Sequence, residues 1–374
     1  ERVNSTVFIN FKFHFNYNLI DQQKKMKKII YLANNDGSDT RIYKEVKTLS
    51  KSFKIIYIGV LKSKSNDNAS FSKKYCYKFI LNKGSIRNPK TILKIVFSFF
   101  LEVLKQKVES IHIVNEQMLF LVYPICFFKR SILDQFDSIF NTKLNYIGDA
   151  LFLKRIIYYP IEKIIVPDSN RLSLLPHSTQ NKAIIIPNYP FYRKDISKIN
   201  SLSDELIILY FGWLGKNRGS YTLKGLLDTG ESIKIISAGW FADNYTKTLF
   251  DLHKNSVHYH GVLHQKEALN LSKNADYILC VYNPMNLNNI NASPNKVYDA
   301  IQVQRPLITN SEVNISKFVS DNNLGIIIPE YNVRDYRQLF DELIEKKNTF
   351  KFNLNLRREY CWENKEMVLL NTHK

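Results

Sequence analysis

Residues 27–60, KKIIYLANNDGSDTRIYKEVKTLSKSFKIIYIGV, decide the fold. KKIIYLAN is short and β-branched, as in a buried strand, and the polar loop NDGSDT supplies a turn with helix-capping residues. Ile42, Val46 and Leu49 then fall on one helical face, and KIIYIGV (54–60) follows as a second strand. This order predicts a strand–helix–strand unit with parallel strands.

The same alternation runs through the chain twice. It predicts strands at SIHIV, KIIVP and AIIIP in the first half, and at LIILYFGWLG, IKIISAG, DYILCVY, PLIT and LGIIIP in the second. Residues 188–204 have no apolar period and are predicted to be a linker. The fold class is therefore α/β, with two Rossmann-like doubly wound domains facing a cleft.

We predict domain boundaries from the same pattern. Residues 26–200 form a first domain, and residues 201–374 form a second domain with a terminal helix that could pack back on the first. Residues 1–25 precede the first strand and are interpreted as a flexible extension or a misassigned start, with Met26 as the true beginning.

The charge of the chain is concentrated in its first half. The net charge is +19, and residues 1–200 hold 33 Lys and Arg against 15 Asp and Glu, whereas residues 201–374 hold 20 against 19. This surplus implies an anionic partner. The four cysteines form no CxxC pair, so the simplest interpretation is a metal-free protein of a reducing compartment.

The motif SPNKVYD (293–299) combines a helix start, a cation and a carboxylate. Ser293 is predicted to cap the helix and Pro294 to occupy its first turn, which leaves free amides near Asn295 for an anion. Lys296 adds a positive charge, and Asp299 lies on the same face. Phosphate and sugar hydroxyls of one nucleotide would fit; the alternative is an exposed, capped helix with a Lys–Asp pair.

The loop FGWLGKNRGS (211–220) carries glycines that allow close approach and two cations. Gly212 and Gly219 are backbone candidates, and Lys216 and Arg218 could hold a diphosphate. The pattern is neither GxGxxG nor a Walker loop, so an ordinary surface turn is an equal alternative.

In the first half, polar residues follow two predicted strands. Gly37, Asp39 and Arg41 follow the first strand, and Asn115 and Glu116 follow SIHIV. Glu116 is the better candidate for chemistry, because His112 alternates with apolar neighbours as a core histidine does. Residues 90–108 are apolar with basic flanks and are expected either to lie on a membrane surface or to form a buried helix.

Taken in order, these segments resemble the retaining GT-B glycosyltransferases of the large family-four type, in the bacterial capsule and O-antigen branch. SPNKVYD is similar to the Ser-Pro-x-Lys-x-x-Glu donor motif, with Asp299 in place of Glu. FGWLGKNRG resembles the loop whose basic residue, here Arg218, contacts the donor diphosphate. HGVLHQKEALNLSKNADYILCVY (260–282) resembles the segment that holds the nucleobase near Gly261 and Val262 and ends at Tyr282.

The resemblance implies further properties and shows two departures. It implies sugar transfer with retention and no metal or other cofactor, with residues 26–200 as the acceptor-side domain and residues 201–374 as the donor domain. Arg218 and Lys296 then join Glu116 as catalytic candidates. The family often has an acidic residue where this chain has Asn291, and many members have a histidine where this chain has Val114. These departures leave the positioning of the donor sugar open.

We therefore predict a transferase that moves a sugar from a nucleotide-sugar donor to a glycan or polyprenyl-diphosphate-linked acceptor. It would be cytoplasmic and peripheral, at the acidic inner face of the cytoplasmic membrane. A nucleotide-sugar 2-epimerase of the same fold is one alternative, and a nucleic-acid-binding protein is another. No RNP-like, helix-turn-helix or zinc signature supports nucleic-acid binding.

Overall fold

A computed structural model describes residues 26–61, 72–136, 138–142, 150–194 and 205–374. The predicted extension at residues 1–25 and most of the predicted linker, residues 195–204, lie outside the described residues. Among the described residues, no helix has both the length and the apolar character needed to cross a membrane.

The first sheet has seven strands in the order β3-β2-β1-β4-β5-β6-β7. The pairings from β3 through β6 are all parallel. The order reverses between β1 and β4, as in a doubly wound fold. The strands are β1 Lys28–Leu32, β2 Lys54–Leu61, β3 Lys78–Lys83, β4 Val108–Val114, β5 Ser131–Asp134, β6 Lys163–Val166 and β7 Ala183–Ile185.

The second sheet repeats this topology with six parallel strands in the order β10-β9-β8-β11-β12-β13. Its order reverses between β8 and β11. The strands are β8 Leu206–Leu214, β9 Ile233–Phe241, β10 Val257–Tyr259, β11 Tyr277–Leu279, β12 Leu307–Asn310 and β13 Gly325–Ile328. Every strand expected from the sequence is present, and the α/β class of two Rossmann-like domains is confirmed.

Three strands were missed by sequence reasoning: β3, β5 and β10. β3 and β10 each pair with one neighbour at a sheet edge and carry exposed residues, so they lack the continuous apolar run of a buried parallel strand. β5 is fully buried but only four residues long, too short to show a period.

Helices connect the strands. They are α1 Thr40–Leu49, α2 Pro89–Lys105, α3 Asn115–Val122, α4 Ile139–Thr142, α5 Ala150–Ile157, α6 Ser169–Ser173, α7 His177–Gln180, α8 Ser220–Asp228, α9 Asn244–Leu252, α10 Gln265–Asn270, α11 Leu287–Ile290, α12 Asn295–Val303, α13 Ile315–Asp321, α14 Tyr336–Lys346, α15 Leu354–Glu359 and α16 Glu363–Thr372.

The chain divides into two compact units. One contains the described residues up to Phe136 together with Tyr158–Ile165 and Val368–Lys374, and the other contains the described residues of Asp137–Ile157 and Val166–Met367. In the second unit, one apolar cluster packs on each face of the sheet. The domain boundary near residue 200 stays a prediction.

Helix α2 combines the two expectations for residues 90–108. The face formed by Thr91, Ile95, Phe99 and Glu102 is buried. Leu93, Phe97 and Leu104 lie on the exposed side, beside the exposed Lys90, Lys94 and Lys105. The helix is therefore buried on one face and carries an apolar and basic stripe on the other, and residue 108 already belongs to β4.

Candidate functional site

The loops that follow β8 and β11 meet at the point where the second sheet reverses its order. The guanidinium carbon of Arg218 lies 4.0 Å from the centre of the Tyr282 ring. Nη1 of Arg218 is buried and has no hydrogen-bond partner among the described residues. A buried, unpaired guanidinium nitrogen costs free energy unless an anion completes it, so this position suits a ligand with negative charge.

The backbone of the loop after β8 is held in place from several directions. The amide of Arg218 donates to the carbonyl of Gly215 (2.9 Å), and the amide of Asn283 donates to the carbonyl of Asn217 (3.1 Å). Gly219 has φ 109°, and a Cβ there would come within 2.7 Å of Leu279. Only glycine tolerates both the positive φ and this close approach. Specific contacts therefore hold the loop in one conformation, unlike an ordinary surface turn.

Lys296 lies at the start of α12 and points toward the end of β8. Its ammonium donates to the carbonyl of Leu279 (3.1 Å) and lies 5.2 Å from the centre of the Tyr210 ring. Burial lowers the pKa of Lys296 to about 8, and the positive charge of Arg218 acts in the same direction. The carboxylate of Asp299 acts in the opposite direction, and a bound anion would stabilise the ammonium further.

The start of α12 differs from the expectation. Pro294 is the residue that precedes the helix, and its geometry involves no side-chain cap. The prediction that Ser293 caps the helix was therefore wrong. The hydroxyl of Ser293 instead lies 3.3 Å from the hydroxyl of Tyr298, and either of the two can donate the hydrogen bond between them. Asn295 is the first helical residue, and the helix start remains available to an anion.

Asp299 is buried rather than exposed. Its side chain is 1% exposed, and its Oδ1 accepts a hydrogen bond from Nε2 of Gln265 (3.0 Å). The alternative of a Lys–Asp pair on a surface helix is therefore wrong, because it required Asp299 to be exposed. The role of Asp299 as a ribose ligand stays a prediction.

The remaining donor-side residues lie at neighbouring strand ends. Gly212 has φ 90°, and a Cβ there would lie 4.0 Å from Cε of Lys296. Gly261 and Val262 follow β10, and Val262 is exposed. The structure thus brings Gly212, Arg218, Tyr282 and Lys296 together, and places Gly261 and Val262 along the same sheet edge.

In the first unit, the residues after β1 form the predicted turn and helix cap. Asp39 caps α1 by accepting hydrogen bonds from the amides of Arg41 and Ile42, which confirms the capping prediction. Gly37 has φ 88°. Arg41 is buried, so its position does not present the guanidinium to a ligand.

Arg41 belongs to a buried charged cluster with Glu45, His112 and Asp134. Its guanidinium contacts Glu45 Oε1 at 2.8 Å and Asp134 Oδ1 at 2.7 Å. His112 Nε2 lies 3.4 Å from Glu45 Oε2 and from Asp134 Oδ2. Burial by itself would lower the pKa of His112, but the two carboxylates outweigh it and raise the pKa to about 9. The two cations and two anions therefore balance each other.

Among the described residues, three members of this cluster could hold a metal ion. One ligand atom each from Glu45, His112 and Asp134 lies within 4.8 Å of the others. Arg41 already supplies positive charge to both carboxylates, while Oδ2 of Asp134 and Nε2 of His112 have no hydrogen-bond partner among the described residues. The expectation of a metal-free enzyme stays a prediction.

Asn115 and Glu116 follow β4, where the first sheet reverses its order. Asn115 has φ 62°, and its Oδ1 accepts from the amide of Phe136 (2.8 Å). Glu116 is fully buried and accepts from Gln135 Nε2 (3.1 Å) and the hydroxyl of Tyr158 (2.7 Å). These hydrogen bonds give Glu116 a structural role. Its catalytic role stays a prediction.

Asn291, the departure from the acidic residue, is tied into the structure. Its Nδ2 donates to the carbonyl of Leu287 (2.9 Å), and its Oδ1 accepts from Nδ2 of Asn314 (2.7 Å). Its carbonyl accepts from Nε of Arg171 (3.0 Å). The second departure, Val114, is buried beside Asp134 in the pairing of β4 and β5.

The chain was compared with protein families, curated proteins and solved structures. No family model and no curated protein matches the chain. Among solved structures, a sucrose-phosphate synthase from Thermosynechococcus elongatus is similar with a TM-score of 0.69 and 13% identity, over 92% of this chain and 97% of that one. The chain has the GT-B fold.

Two further similar structures carry nucleotide ligands. HepE of Anabaena, in complex with UDP and glucose, matches with a TM-score of 0.67 and 11% identity, over 92% of this chain and 97% of that one. A UDP-GlcNAc 2-epimerase from Neisseria meningitidis, bound to UDP-GlcNAc, matches with a TM-score of 0.57 and 11% identity, over 92% and 99%.

Sequence reasoning missed the residues that support this site. Tyr210 and Leu279 position Lys296, and Gln265 holds Asp299. Each lies in a different strand or helix from its partner, so no spacing in the sequence links them. The alternation of Tyr210 with apolar neighbours marks a core position, but it does not reveal the ring's contact with a cation.

Proposed function

We propose that this protein is a glycosyltransferase that moves a sugar from a nucleotide-sugar donor to a glycan or lipid-linked acceptor. The observation that carries the proposal is the position of Arg218. Its buried, unpaired nitrogen lies at the reversal point of a doubly wound sheet, where such sheets bind ligands. The similar structures with bound UDP or UDP-GlcNAc support a nucleotide sugar as the ligand.

The arrangement suggests how the residues would act. As the bond to the sugar breaks, negative charge builds up on the departing diphosphate. Arg218 and Lys296 would stabilise that charge where it develops, together with the amides at the start of α12. Asp299 would bind the ribose hydroxyls and contribute to affinity rather than to chemistry. The proposed reaction retains the anomeric configuration and uses no metal.

The proposed acceptor is an anionic or lipid-linked glycan of a bacterial cell-surface polysaccharide, such as capsule or O-antigen. The surplus of cations in residues 1–200 and the exposed apolar and basic stripe of α2 support a place at the acidic inner surface of the cytoplasmic membrane. The enzyme would be cytoplasmic and peripheral.

A nucleotide-sugar 2-epimerase remains a second candidate, because a UDP-GlcNAc 2-epimerase is among the similar structures. An epimerase acts on a soluble nucleotide sugar and gives no reason for a basic first half. Incubation with a panel of nucleotide sugars, followed by NMR of the products, separates the two. Release of the nucleoside diphosphate with sugar transfer or hydrolysis supports the transferase, and an inverted C2 centre on an intact nucleotide sugar supports the epimerase.

Binding of nucleic acid is tested in parallel by filter binding to DNA. We expect salt-sensitive, weak binding at most, because the basic residues are spread over half of the chain and not gathered in one motif. Tight binding to DNA with no effect of any nucleotide sugar on thermal stability would contradict the proposed function.

A further inference from the structure

Three neighbouring strands of the second sheet end in the same way. A glycine with positive φ lies in each of β8 and β9, two residues before the strand ends, and another lies two residues after β10: Gly212 (90°), Gly239 (144°) and Gly261 (73°). The residue after each glycine is apolar and exposed. These residues are Trp213 (66%), Trp240 (56%) and Val262 (53%).

The pairing of the strands puts the two indoles side by side. Gly212 is the register partner of Gly239, and Trp213 is the partner of Trp240. A Cβ on Gly239 would lie 1.9 Å from the carbonyl oxygen of Gly212. The two backbones therefore approach so closely that only glycine fits at position 239. The amide of Gly239 also donates to the carbonyl of Gly261 (2.8 Å), which places the third strand end next to them.

Two exposed tryptophans at a ligand-binding edge need an explanation. Indoles are usually well buried in folded proteins, and exposed apolar patches mark places where something binds. Trp213 and Trp240 together define what we call the aromatic platform. Its position at the carboxyl ends of parallel strands is where doubly wound sheets bind ligands.

The aromatic platform lies on the face of the sheet that α12, the helix of Lys296, covers. Leu214 and Phe241 follow Trp213 and Trp240 and pack in the apolar cluster of the opposite face, and side chains of a strand alternate between faces. Val297 of α12 packs in the cluster of the platform's face. From β8 to β10 the sheet spans about 10 Å, because neighbouring strands are about 4.8 Å apart. A ligand with a charged end at Lys296 and a flat ring at the other end would cover both features.

We propose that the aromatic platform stacks against the base of the nucleotide donor. This inference rests on the proposed function, because it takes the anion at Arg218 and Lys296 to be the diphosphate of that donor. Stacking on an indole accepts every base, since each base has a π-face. The aromatic platform would therefore supply affinity for the nucleoside and leave the choice of base to other contacts.

Tryptophan fluorescence tests this directly. The chain has three tryptophans, and the third, Trp362, is fully buried in the core. UDP, GDP and ADP are titrated against inorganic pyrophosphate, which has the charge but no base. We expect the nucleotides to quench the emission of Trp213 and Trp240 and pyrophosphate to leave it unchanged.

Substitutions then separate stacking from charge. Trp213→Ala and Trp240→Ala are expected to weaken nucleoside diphosphate binding at least about fivefold and to leave pyrophosphate affinity unchanged. Trp213→Phe and Trp240→Phe keep a ring and should retain most of the affinity. Leu252→Ala, which removes another exposed apolar side chain of the same unit, is the matched control and should have no effect.

The outcomes distinguish the inference from the proposed function. If Arg218→Ala weakens nucleoside diphosphate binding while both Trp→Ala variants bind normally, the aromatic platform is wrong and the donor site stands. If the wild-type protein binds none of the nucleotides or nucleotide sugars, the proposed function falls and the inference falls with it.

Discussion

The guanidinium of Arg218 lies over the ring of Tyr282, with 4.0 Å between the guanidinium carbon and the ring centre. The two residues follow strands that are neighbours in the sheet but more than sixty residues apart in sequence. The contact helps to hold the guanidinium in place, because a cation is attracted to the face of an aromatic ring. One face of Arg218 is thereby used for positioning, and its buried nitrogen is left for a ligand.

Removing this guanidinium should weaken donor binding. We expect Arg218→Ala to raise the dissociation constant for nucleoside diphosphate about tenfold or more, since a charge-assisted contact contributes about 1.5–3 kcal/mol. Arg218→Lys should recover only part of the loss, because an ammonium is a point charge and lacks the planar guanidinium that lies over Tyr282. Isothermal titration calorimetry measures both variants.

The control for this prediction is Lys224→Ala. Lys224 is an exposed cation of α8 that pairs with Asp228. Exposed pairs of this kind contribute little, so donor affinity should not change. Equal losses of nucleoside diphosphate affinity in Lys224→Ala and Arg218→Ala would show a general effect of net charge and contradict a specific contact at Arg218.

Donor affinity should fall as pH rises through about 8. The ammonium form of Lys296 is the form that binds phosphate, and burial has lowered its pKa to about 8. At higher pH the free protein carries a neutral amine, so the donor must bind together with a proton. Calorimetry in buffers of different protonation enthalpy counts that proton. Lys296→Arg keeps its charge and should bind with no such decline up to about pH 10.

Asp299→Asn should separate binding from stability. The substitution keeps the shape of the side chain and an oxygen for Gln265, while it removes the negative charge. If Asp299 binds ribose hydroxyls, donor affinity falls and the melting temperature changes little. Asp299→Glu, which restores the residue of the resembled motif, should retain more affinity than Asn. A large loss of stability with unchanged donor affinity would assign Asp299 a purely structural role.

The buried cluster around His112 should make stability depend on pH. The folded pKa of His112, about 9, lies above the unfolded value of about 6.5. Its contribution is therefore fully present below pH 6.5 and is lost as pH rises through 9, and it is on the order of 3 kcal/mol. Urea unfolding between pH 7 and 9 measures this decline.

Between pH 7 and 9, the ionisable neighbours of His112 in this cluster do not change their charge. Arg41 lowers the pKa of Glu45 against the effect of burial, and burial raises that of Asp134 to about 6, so both carboxylates are ionised above pH 7. Burial and the charge of His112 lower the pKa of His373, which therefore stays neutral. His112→Gln should be less stable than the wild type at pH 7, and the difference between the two should shrink toward pH 9. Taking the difference removes the opposing contribution of Lys296, whose lowered pKa of about 8 makes stability rise above that pH. A difference that stays constant over this range would contradict the charged state of His112.

The exposed stripe of α2 should bind acidic membranes. Vesicles that contain anionic lipid should bind the protein at low salt and release it as salt rises, because the attraction is screened within about 10 Å at 0.1 M ionic strength. Phe97→Ser with Lys94→Glu should abolish sedimentation with vesicles and leave donor affinity intact. Lys129 and Arg130 are poorer targets, since Arg130 is paired with Glu162 (2.9 Å).

The matched control is Leu252→Ser, which removes an exposed apolar residue outside the stripe. It should sediment with vesicles as the wild-type protein does. A wild-type protein that ignores acidic vesicles at low salt would point to a soluble acceptor, and the proposed membrane location would be withdrawn.

The sequence by itself determined the two halves of this protein. Short β-branched runs such as KIIYIGV are nearly continuous in apolar residues because parallel strands are covered on both faces, so their pattern is local and visible. The helix after β1 could be placed for the same reason, since Asp39 caps it through bonds to amides two and three residues on.

Only the tertiary structure decided which of the singled-out side chains are paired inside the protein. Arg41 carries the same charge as Arg218, but its guanidinium is buried against Asp134, and Glu116 accepts from the hydroxyl of Tyr158. Those partners come from distant strands and helices, and burial depends on how the whole unit packs. Trp213 and Trp240 show the same limit, because two strands had to pair in register before their indoles lay side by side.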